Sequence, residues 1–251
     1  MAETDGIFQR FARYQPLALL GQGASGVVHR VRDTITGGEV ALKTLPADDP
    51  ELLYSLKQEF RALAGIRHRN LVELYELTAA GGVCFFTMEL VDGCDLLAYV
   101  REGLGAGAPP TPRERLLHAA SQLTHGLAAL HAAGKLHRDV KPSNALVDRH
   151  GRVVLLDFGL AAAHGPGEGS ARRELAGTVA YMAPEVLRGQ PASPASDWYG
   201  MGVVLFEALA GRLPFEGPAA RQFVDKTRAE APRLRQFAAD AGDELDELVA
   251  R

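Results

Sequence analysis

The residues best suited to chemistry lie in one short segment, residues 137–144, which reads His-Arg-Asp-Val-Lys-Pro-Ser-Asn. Asp139 supplies a carboxylate, Lys141 a cation, and Asn144 an amide oxygen that can bind a metal ion. A carboxylate can orient a hydroxyl and accept its proton, and a nearby ammonium can neutralise charge on a phosphoryl group. Because phosphoryl transfer needs mainly positioning and electrostatic stabilisation, the segment predicts a phosphotransferase loop.

A second acidic position, Asp157, follows a short apolar run and precedes a Phe-Gly pair. The run at residues 153–156 predicts a strand that delivers Asp157 at its end. Hard cations prefer carboxylate and amide oxygens, so Asp157 and Asn144 are predicted to hold Mg²⁺. An Asp close to a Gly is also common in ordinary turns, but its place after residues 137–144 favours the metal-binding interpretation.

A glycine-rich segment at residues 21–28 has the form G-x-G-x-x-G-x-V. Its glycines let backbone amides approach phosphate oxygens, because no β-carbon stands in the way. A dinucleotide-binding fold needs a helix directly after the third glycine, whereas residues 27–31 continue as a strand pattern. Alone, the segment fits either a phosphate loop or a hairpin without a ligand. The nucleotide contacts predicted here are Gly21, Gln22, Gly23, Ala24, Ser25, Gly26 and Val28.

Lys43 lies on a predicted strand at residues 40–44, among apolar neighbours. A lysine on such a covered surface needs an anion nearby. Glu59, on the following helix, is the candidate partner, and the pair would direct Lys43 at the α- and β-phosphates of a nucleotide. Each charge taken singly also fits a solvated surface, so the pairing depends on the order of the motifs.

The elements that position these groups form a sheet-rich first third of the chain and a helix-rich remainder, which predicts an α+β fold. One helix, beginning near residues 48–50 and ending near Gly65, interrupts the strands. The strand patterns lie at residues 26–32, 40–44, 71–77 and 83–90. The helical patterns beyond residue 92 lie at residues 96–100, 112–133 and 201–210.

Composition excludes several classes of partner. A chain of 251 residues with 47% hydrophobic composition can bury a substantial core. Its net charge of -4 gives no general attraction to nucleic acid or anionic membranes. Two cysteines form no disulfide framework or metal-ligand spacing, and the first eleven residues lack a signal-peptide run. We therefore expect a cytoplasmic protein without a membrane segment. The sequence does not predict its oligomeric state.

In the order of its motifs the chain resembles the eukaryotic-like Ser/Thr protein kinase family, in particular its bacterial members. The resemblance extends from Tyr14 to about Phe215 and implies a two-lobed fold. An N-lobe of antiparallel sheet with one helix would occupy residues 1–91, and a mostly helical C-lobe residues 92–251. Further motifs that carry the resemblance are Gly177-Thr178, Ala183-Pro184-Glu185 and Asp197-Trp198.

The resemblance implies transfer of the γ-phosphate of Mg·ATP to Ser or Thr hydroxyls of protein substrates, and self-phosphorylation. Thr178 would line the acceptor site beside Asp139, and His137 would have a structural role. Asp95 would reach the ribose of ATP. The adenine contacts implied are Val28, Ala41, Met88, Glu89, Val91 and Leu146.

Two departures from the family pattern bear on control and completeness. Arg138 implies control by an activation-loop phosphate, for which Ser170 is the expected acceptor. Ala162 replaces a second basic residue that many such kinases carry, so Ser170 phosphorylation is expected to tune activity only modestly. The family continues into further helices with an arginine that pairs with the position of Glu185, so the chain is expected to be a fragment of a longer protein.

Two other functions stay open from the sequence. One is a pseudokinase, an ATP-binding scaffold without turnover, although Lys43, Asp139 and Asp157 are all present. The other is a small-molecule phosphotransferase of related fold, which Thr178 and the Ala-Pro-Glu motif disfavour because they fit a protein-substrate platform. An assay of phosphate transfer to protein distinguishes these functions, whereas ATP binding is common to a kinase and a pseudokinase.

Overall fold

The computed structural model describes residues 12–23, 26–45, 50–80, 83–103, 109, 111–158, 179–238 and 242–250. These residues form two compact units. Within the described ranges, the first unit comprises residues 12–67 and 72–91. The second comprises residues 68–71, 92–158 and 179–250.

The first unit is built on a five-stranded antiparallel sheet in the order β1-β2-β3-β5-β4. Its strands are β1 (Tyr14–Gly23), β2 (Gly26–Asp33), β3 (Glu39–Leu45), β4 (Leu74–Ala80) and β5 (Val83–Met88). One helix, α1 (Pro50–Ala64), follows β3. The predicted sheet and helix are confirmed, but β4 begins at Leu74 rather than at residue 71. Leu71 instead pairs with Leu155 as an isolated parallel bridge.

One face of this sheet carries a buried cluster of the first unit. Tyr14, Val31, Leu42 and Phe85 form a buried cluster, in which the rings of Tyr14 and Phe85 meet edge to face at 5.7 Å between centroids. Because side chains alternate along a strand, the residues on either side of Leu42 project from the opposite face. The opposite face, which carries Ala41 and Lys43, is also buried, and there Phe86 packs against Phe60 of α1 with 5.8 Å between ring centroids.

The second unit is mostly helical, as predicted. Its helices are α2 (Leu96–Glu102), α3 (Pro112–Ala132), α4 (Pro184–Leu187), α5 (Pro194–Ala210), α6 (Ala219–Arg228) and α7 (Asp243–Ala250). A three-stranded antiparallel sheet consists of β6 (Gly93–Asp95), β7 (Ala145–Asp148) and β8 (Val153–Leu155). Within the ranges that the structure describes, no helix is long and apolar enough to cross a membrane.

The boundaries of α3 follow from capping chemistry. Thr111 and Glu114 form a capping box in which each side chain accepts from the other residue's backbone amide, and Pro112 occupies the first turn. Gly134, with φ of 70°, follows the last turn. The predicted helix at residues 112–133 is confirmed to within one residue.

Arg13 links two strands of the first unit through ion pairs. Its guanidinium donates to both Asp33 carboxylate oxygens at 2.8 Å and to Glu76 Oε2 at 2.7 Å. Asp33 is buried. The hydrogen bonds from Arg13 hold the pKa of the Asp33 carboxyl well below its usual range.

Substituting Asp33→Asn should lower the free energy of unfolding of the first unit by about 1–3 kcal/mol at pH 7, because Arg13 loses a bidentate carboxylate. The carboxylate stabilises only above the unfolded-state pKa of about 3.9, and this contribution is lost as pH falls toward the depressed folded-state pKa. The difference in melting temperature between wild type and the Asp33→Asn variant, measured by calorimetry, should therefore be smaller at pH 3 than at pH 7. The Glu39→Gln variant, which loses a more exposed pair with Arg30, should lower the melting temperature less. An equal difference at both pH values would contradict a stabilising ion pair between Arg13 and Asp33.

Candidate active site

The Asp139 carboxylate is held by the two residues predicted to act with it. Lys141 Nζ lies 2.7 Å from Asp139 Oδ2. Asn144 Nδ2 donates to the same oxygen at 2.9 Å and to the Asp139 backbone carbonyl at 2.9 Å. The Asp139 side chain keeps 17% of its surface exposed, so a substrate hydroxyl can approach a carboxylate of fixed orientation.

The backbone before Asp139 is fixed by a buried carboxylate on α5. Asp197 Oδ2 accepts from the amide of His137 at 2.8 Å, and Oδ1 accepts from the amide of Arg138 at 2.7 Å. Asp197 is 2% exposed, so both bonds are shielded from water and strengthened accordingly. One carboxylate thus positions two consecutive peptide groups of the predicted catalytic loop.

This attachment holds the loop in an unfavourable backbone conformation. Arg138 has φ of 67°, a region that non-glycine residues rarely adopt and that costs on the order of 1–2 kcal/mol. Such conformations persist where the surroundings over-determine them, and they cluster at functional sites. Asp157, the predicted metal ligand, also has a positive φ, of 55°.

A third donor to Asp197 is His131, near the end of α3, which lies in none of the sequence motifs described above. Its Nε2 lies 2.8 Å from Asp197 Oδ2, and its ring meets Trp198 edge to face at 5.5 Å. The sequence carries one signal of this contact, because Asp197 lies just before the apolar run at residues 201–210 and a carboxylate buried there requires hydrogen-bond donors. The identity of those donors depends on tertiary structure.

His137 is enclosed by the loop that it begins. It is 1% exposed, and burial lowers its pKa. The amide of Asp139 donates to His137 Nδ1 at 3.3 Å, and the ring lies edge to face with Phe158 at 6.4 Å. A neutral imidazole whose Nδ1 accepts from the backbone carries its proton on Nε2, which favours the structural role that the resemblance implies.

The two predicted metal ligands lie on adjoining segments of the second unit. Asn144 ends the 3-10 turn Pro142–Asn144, and its carbonyl accepts from the amide of Leu156, immediately before Asp157, at 2.8 Å. Because Asn144 donates its amide hydrogens to Asp139, its side-chain oxygen is the atom suited to a cation. An amide oxygen and a carboxylate form a hard donor set that fits Mg²⁺.

In the first unit, four predicted nucleotide contacts share one face of the sheet. Lys43 on β3 is opposite Val28 on β2, and Ala41 is opposite Met88 on β5. Directly opposed residues project from the same face, and Ala41 and Lys43 are two residues apart on one strand. This is the face opposite Leu42 and the cluster to which Leu42 belongs. Lys43 itself is buried at 4% exposure.

The third glycine of the glycine-rich segment is required by close packing. Gly26 has φ of 127°, and a β-carbon there would collide with the carbonyl oxygen of Thr44 on β3. The adjacent amide of Val27 donates to Thr44 Oγ1 at 3.2 Å. The start of β2 can therefore keep its backbone close to β3 only with glycine at residue 26.

The other predicted residues lie on defined elements or outside the described residues. Asp95 caps α2 by accepting from the amide of Ala98 at 3.0 Å, and it is opposite Leu146 across β6 and β7. Gly21, Gln22 and Gly23 end β1, Glu59 lies on α1, and Glu89 and Val91 follow β5. Ala24, Ser25, Ala162, Ser170 and Thr178 lie outside the described residues.

A cavity of about 150 Å³ lies against the predicted catalytic loop, within the second unit. Arg138, Asp139 and Val140 form one wall. The segment at residues 181–183, just before α4, forms another, and Val186, Ala192 and the first turns of α5 complete the lining. Asp139 and residues 181–183 thus border one common cavity.

The antiparallel sheet, the helical second unit and the loop around Asp139 define the protein kinase class. A family model described as "Protein kinase domain" matches residues 14–249, and the chain belongs to this family.

Relatives and a solved structure agree with this classification. The serine/threonine-protein kinase PrkC of Bacillus subtilis is 32% identical over 243 residues, which are 95% of this chain and 37% of that protein. PknL of Mycobacterium tuberculosis is 35% identical over 95% of this chain and 60% of its own length. The chain thus spans between about a third and three-fifths of these relatives. The crystal structure of a double mutant of the M. tuberculosis PknI kinase domain matches with a TM-score of 0.71 and 26% identity, covering 96% of this chain and 86% of that one. The predicted kinase fold is confirmed.

Substituting Asp197→Asn should loosen the loop, because an amide cannot accept from both backbone N–H groups in the same geometry and one is left unpaired. The free energy of unfolding of the second unit should fall by about 1–3 kcal/mol. Urea unfolding followed by the fluorescence of Trp198, the single tryptophan, measures this loss. The Asp225→Asn variant, on the exposed side of α6, is the matched control and should unfold like the wild type. Equal stability of both variants would contradict the role assigned to Asp197.

Proposed function

We propose that this domain transfers the γ-phosphate of Mg·ATP to Ser or Thr hydroxyls of protein substrates, and that it phosphorylates itself. The observation that carries the proposal is the contact of Lys141 and Asn144 with one oxygen of the Asp139 carboxylate. The relatives reported above are named serine/threonine-protein kinases, which supports the same class of acceptor.

In the proposed reaction the acceptor hydroxyl lies against Asp139, which orients it and accepts its proton as the new P–O bond forms. The bond between the γ-phosphorus and its bridging oxygen breaks, and ADP leaves with that electron pair. Lys141 places positive charge beside the transferring group while it remains in contact with Asp139. No side-chain nucleophile is needed, since positioning and electrostatics supply the catalysis.

Mg²⁺, when bound, neutralises charge that develops on the phosphate oxygens. We assign Asn144 and Asp157 as its protein ligands. Magnesium commonly takes one or two protein ligands and completes its coordination with waters and substrate phosphates. The proposed pair meets that requirement, because one residue supplies an amide oxygen and the other a carboxylate.

We further propose that residues 1–91 act as the ATP-binding lobe and residues 92–251 as the catalytic lobe. The phosphates would contact the glycine-rich segment and Lys43, with Glu59 as the partner of Lys43. Asp95 would contact the ribose. The adenine would contact Val28, Ala41, Met88, Glu89, Val91 and Leu146. Thr178 would lie beside Asp139, and a cytoplasmic site of action fits the use of ATP and two free cysteines.

The test compares wild type with Asp139→Asn, incubated with Mg·ATP and a generic basic acceptor protein. Mass spectrometry identifies the modified sites. The variant should transfer phosphate at least about 100-fold more slowly, because the hydroxyl loses its proton acceptor. It should keep its affinity for ATP within about twofold, since Asp139 serves the acceptor and not the nucleotide.

The same experiment distinguishes the alternatives. Asp225→Asn, an identical chemical change away from Asp139, should transfer phosphate at the wild-type rate. ATP binding by a folded wild type without any transfer would contradict the proposal and identify a scaffold. Modification of Ser170 in wild type, and its absence in Asp139→Asn, is the result expected for self-phosphorylation.

A further inference from the structure

Lys226, on α6, makes three contacts that a surface lysine does not. It is only 6% exposed. Its ammonium donates to the backbone carbonyls of Val179 at 2.9 Å, Ala180 at 2.6 Å and Met182 at 3.0 Å. The nitrogen also lies 5.2 Å from the centre of the Tyr199 ring on α5. One side chain therefore binds three of four consecutive residues through their backbone.

Placing a lysine there is costly for the folded state. Lysine is among the residues least often buried, and its charge must be satisfied by hydrogen bonds once water is removed. Burial lowers the pKa of Lys226 to about 7, whereas the hydrogen bonds to three carbonyls favour the charged form. An ammonium has three N–H donors, and the three carbonyls match that number. The three hydrogen bonds thus offset the cost of burying a lysine at a position that an apolar side chain could also occupy.

The segment that Lys226 holds lines the same cavity as Asp139, the proposed catalytic residue. Tyr181, Met182 and Ala183 are its members that border this cavity. Tyr181 is fixed separately, because its hydroxyl donates to Glu207 Oε2 on α5 at 2.6 Å. The backbone contacts of Lys226 and the side-chain contact of Tyr181 together set the position of this wall relative to Asp139.

We propose that Lys226 is a positioning residue for the protein substrate, holding residues 179–183 at the distance from Asp139 that the acceptor polypeptide requires. The proposal rests on the kinase function proposed above. Lys226 lies on α6, outside the glycine-rich segment and the predicted catalytic loop. None of the proposed nucleotide contacts lines the cavity, so the proposed role concerns the protein substrate.

The Lys226→Met variant tests the role, because methionine keeps an unbranched apolar stem and removes all three donors. We expect the KM for the acceptor protein to rise about tenfold, while the KM for ATP stays within about twofold of wild type. Hydrogen exchange of the amides at residues 179–183 should become about tenfold faster. Arg221→Met, on the same helix with its side chain 74% exposed, should leave all three quantities unchanged.

A purely structural role would give a different result. Loss of folded protein lowers kcat and the melting temperature without moving the acceptor KM, and that outcome would overturn the proposal. If Lys226→Met does not fold, Lys226→Gln, which keeps an N–H donor group, should show a smaller rise in the same KM. Unchanged exchange at residues 179–183 in an active variant would also overturn it. Absence of Asp139-dependent transfer by wild type would instead overturn the proposed kinase function, and the substrate role with it.

Discussion

The arrangement around Asp139 depends on one buried carboxylate, that of Asp197. By accepting from two consecutive backbone amides, it holds Arg138 at a positive φ and so determines the direction in which Asp139 leaves the loop. Lys141 and Asn144 then fix the Asp139 carboxylate itself. A catalytic group that must be positioned within a fraction of an ångström needs this kind of support from a rigid helix.

Two buried charged side chains of the second unit attach to backbone groups. Asp197 holds peptide N–H groups, whereas Lys226 holds peptide carbonyls of the segment opposite. Charged side chains that are buried and satisfied by backbone groups of a loop fix its course without restricting its own side chains. The side chains of the loop then remain available to contact the substrate.

The sequence predicted most of the elements because their signals are local, and the order of its motifs predicted the family. Capping residues set the limits of α3, and the order of Asp139, Lys141, Asn144 and Asp157 indicates phosphoryl transfer. It could not predict contacts between distant segments, such as those of His131 or Lys226. It also misplaced the start of β4, because the apolar Leu71 has the strand pattern but pairs with Leu155 instead. A hydrophobic pattern indicates which residues are buried, whereas the residues that they contact depend on the tertiary structure.

The most direct test of this account is amide hydrogen exchange at His137 and Arg138, measured by NMR in the wild-type protein. If Asp197 holds both amides in a buried position, they should exchange at least about 1,000-fold more slowly than amides of an exposed loop. Exchange of both amides at the rate of an exposed loop would contradict the account, because the loop that carries Asp139 would then lack the fixed support from which the proposed chemistry follows.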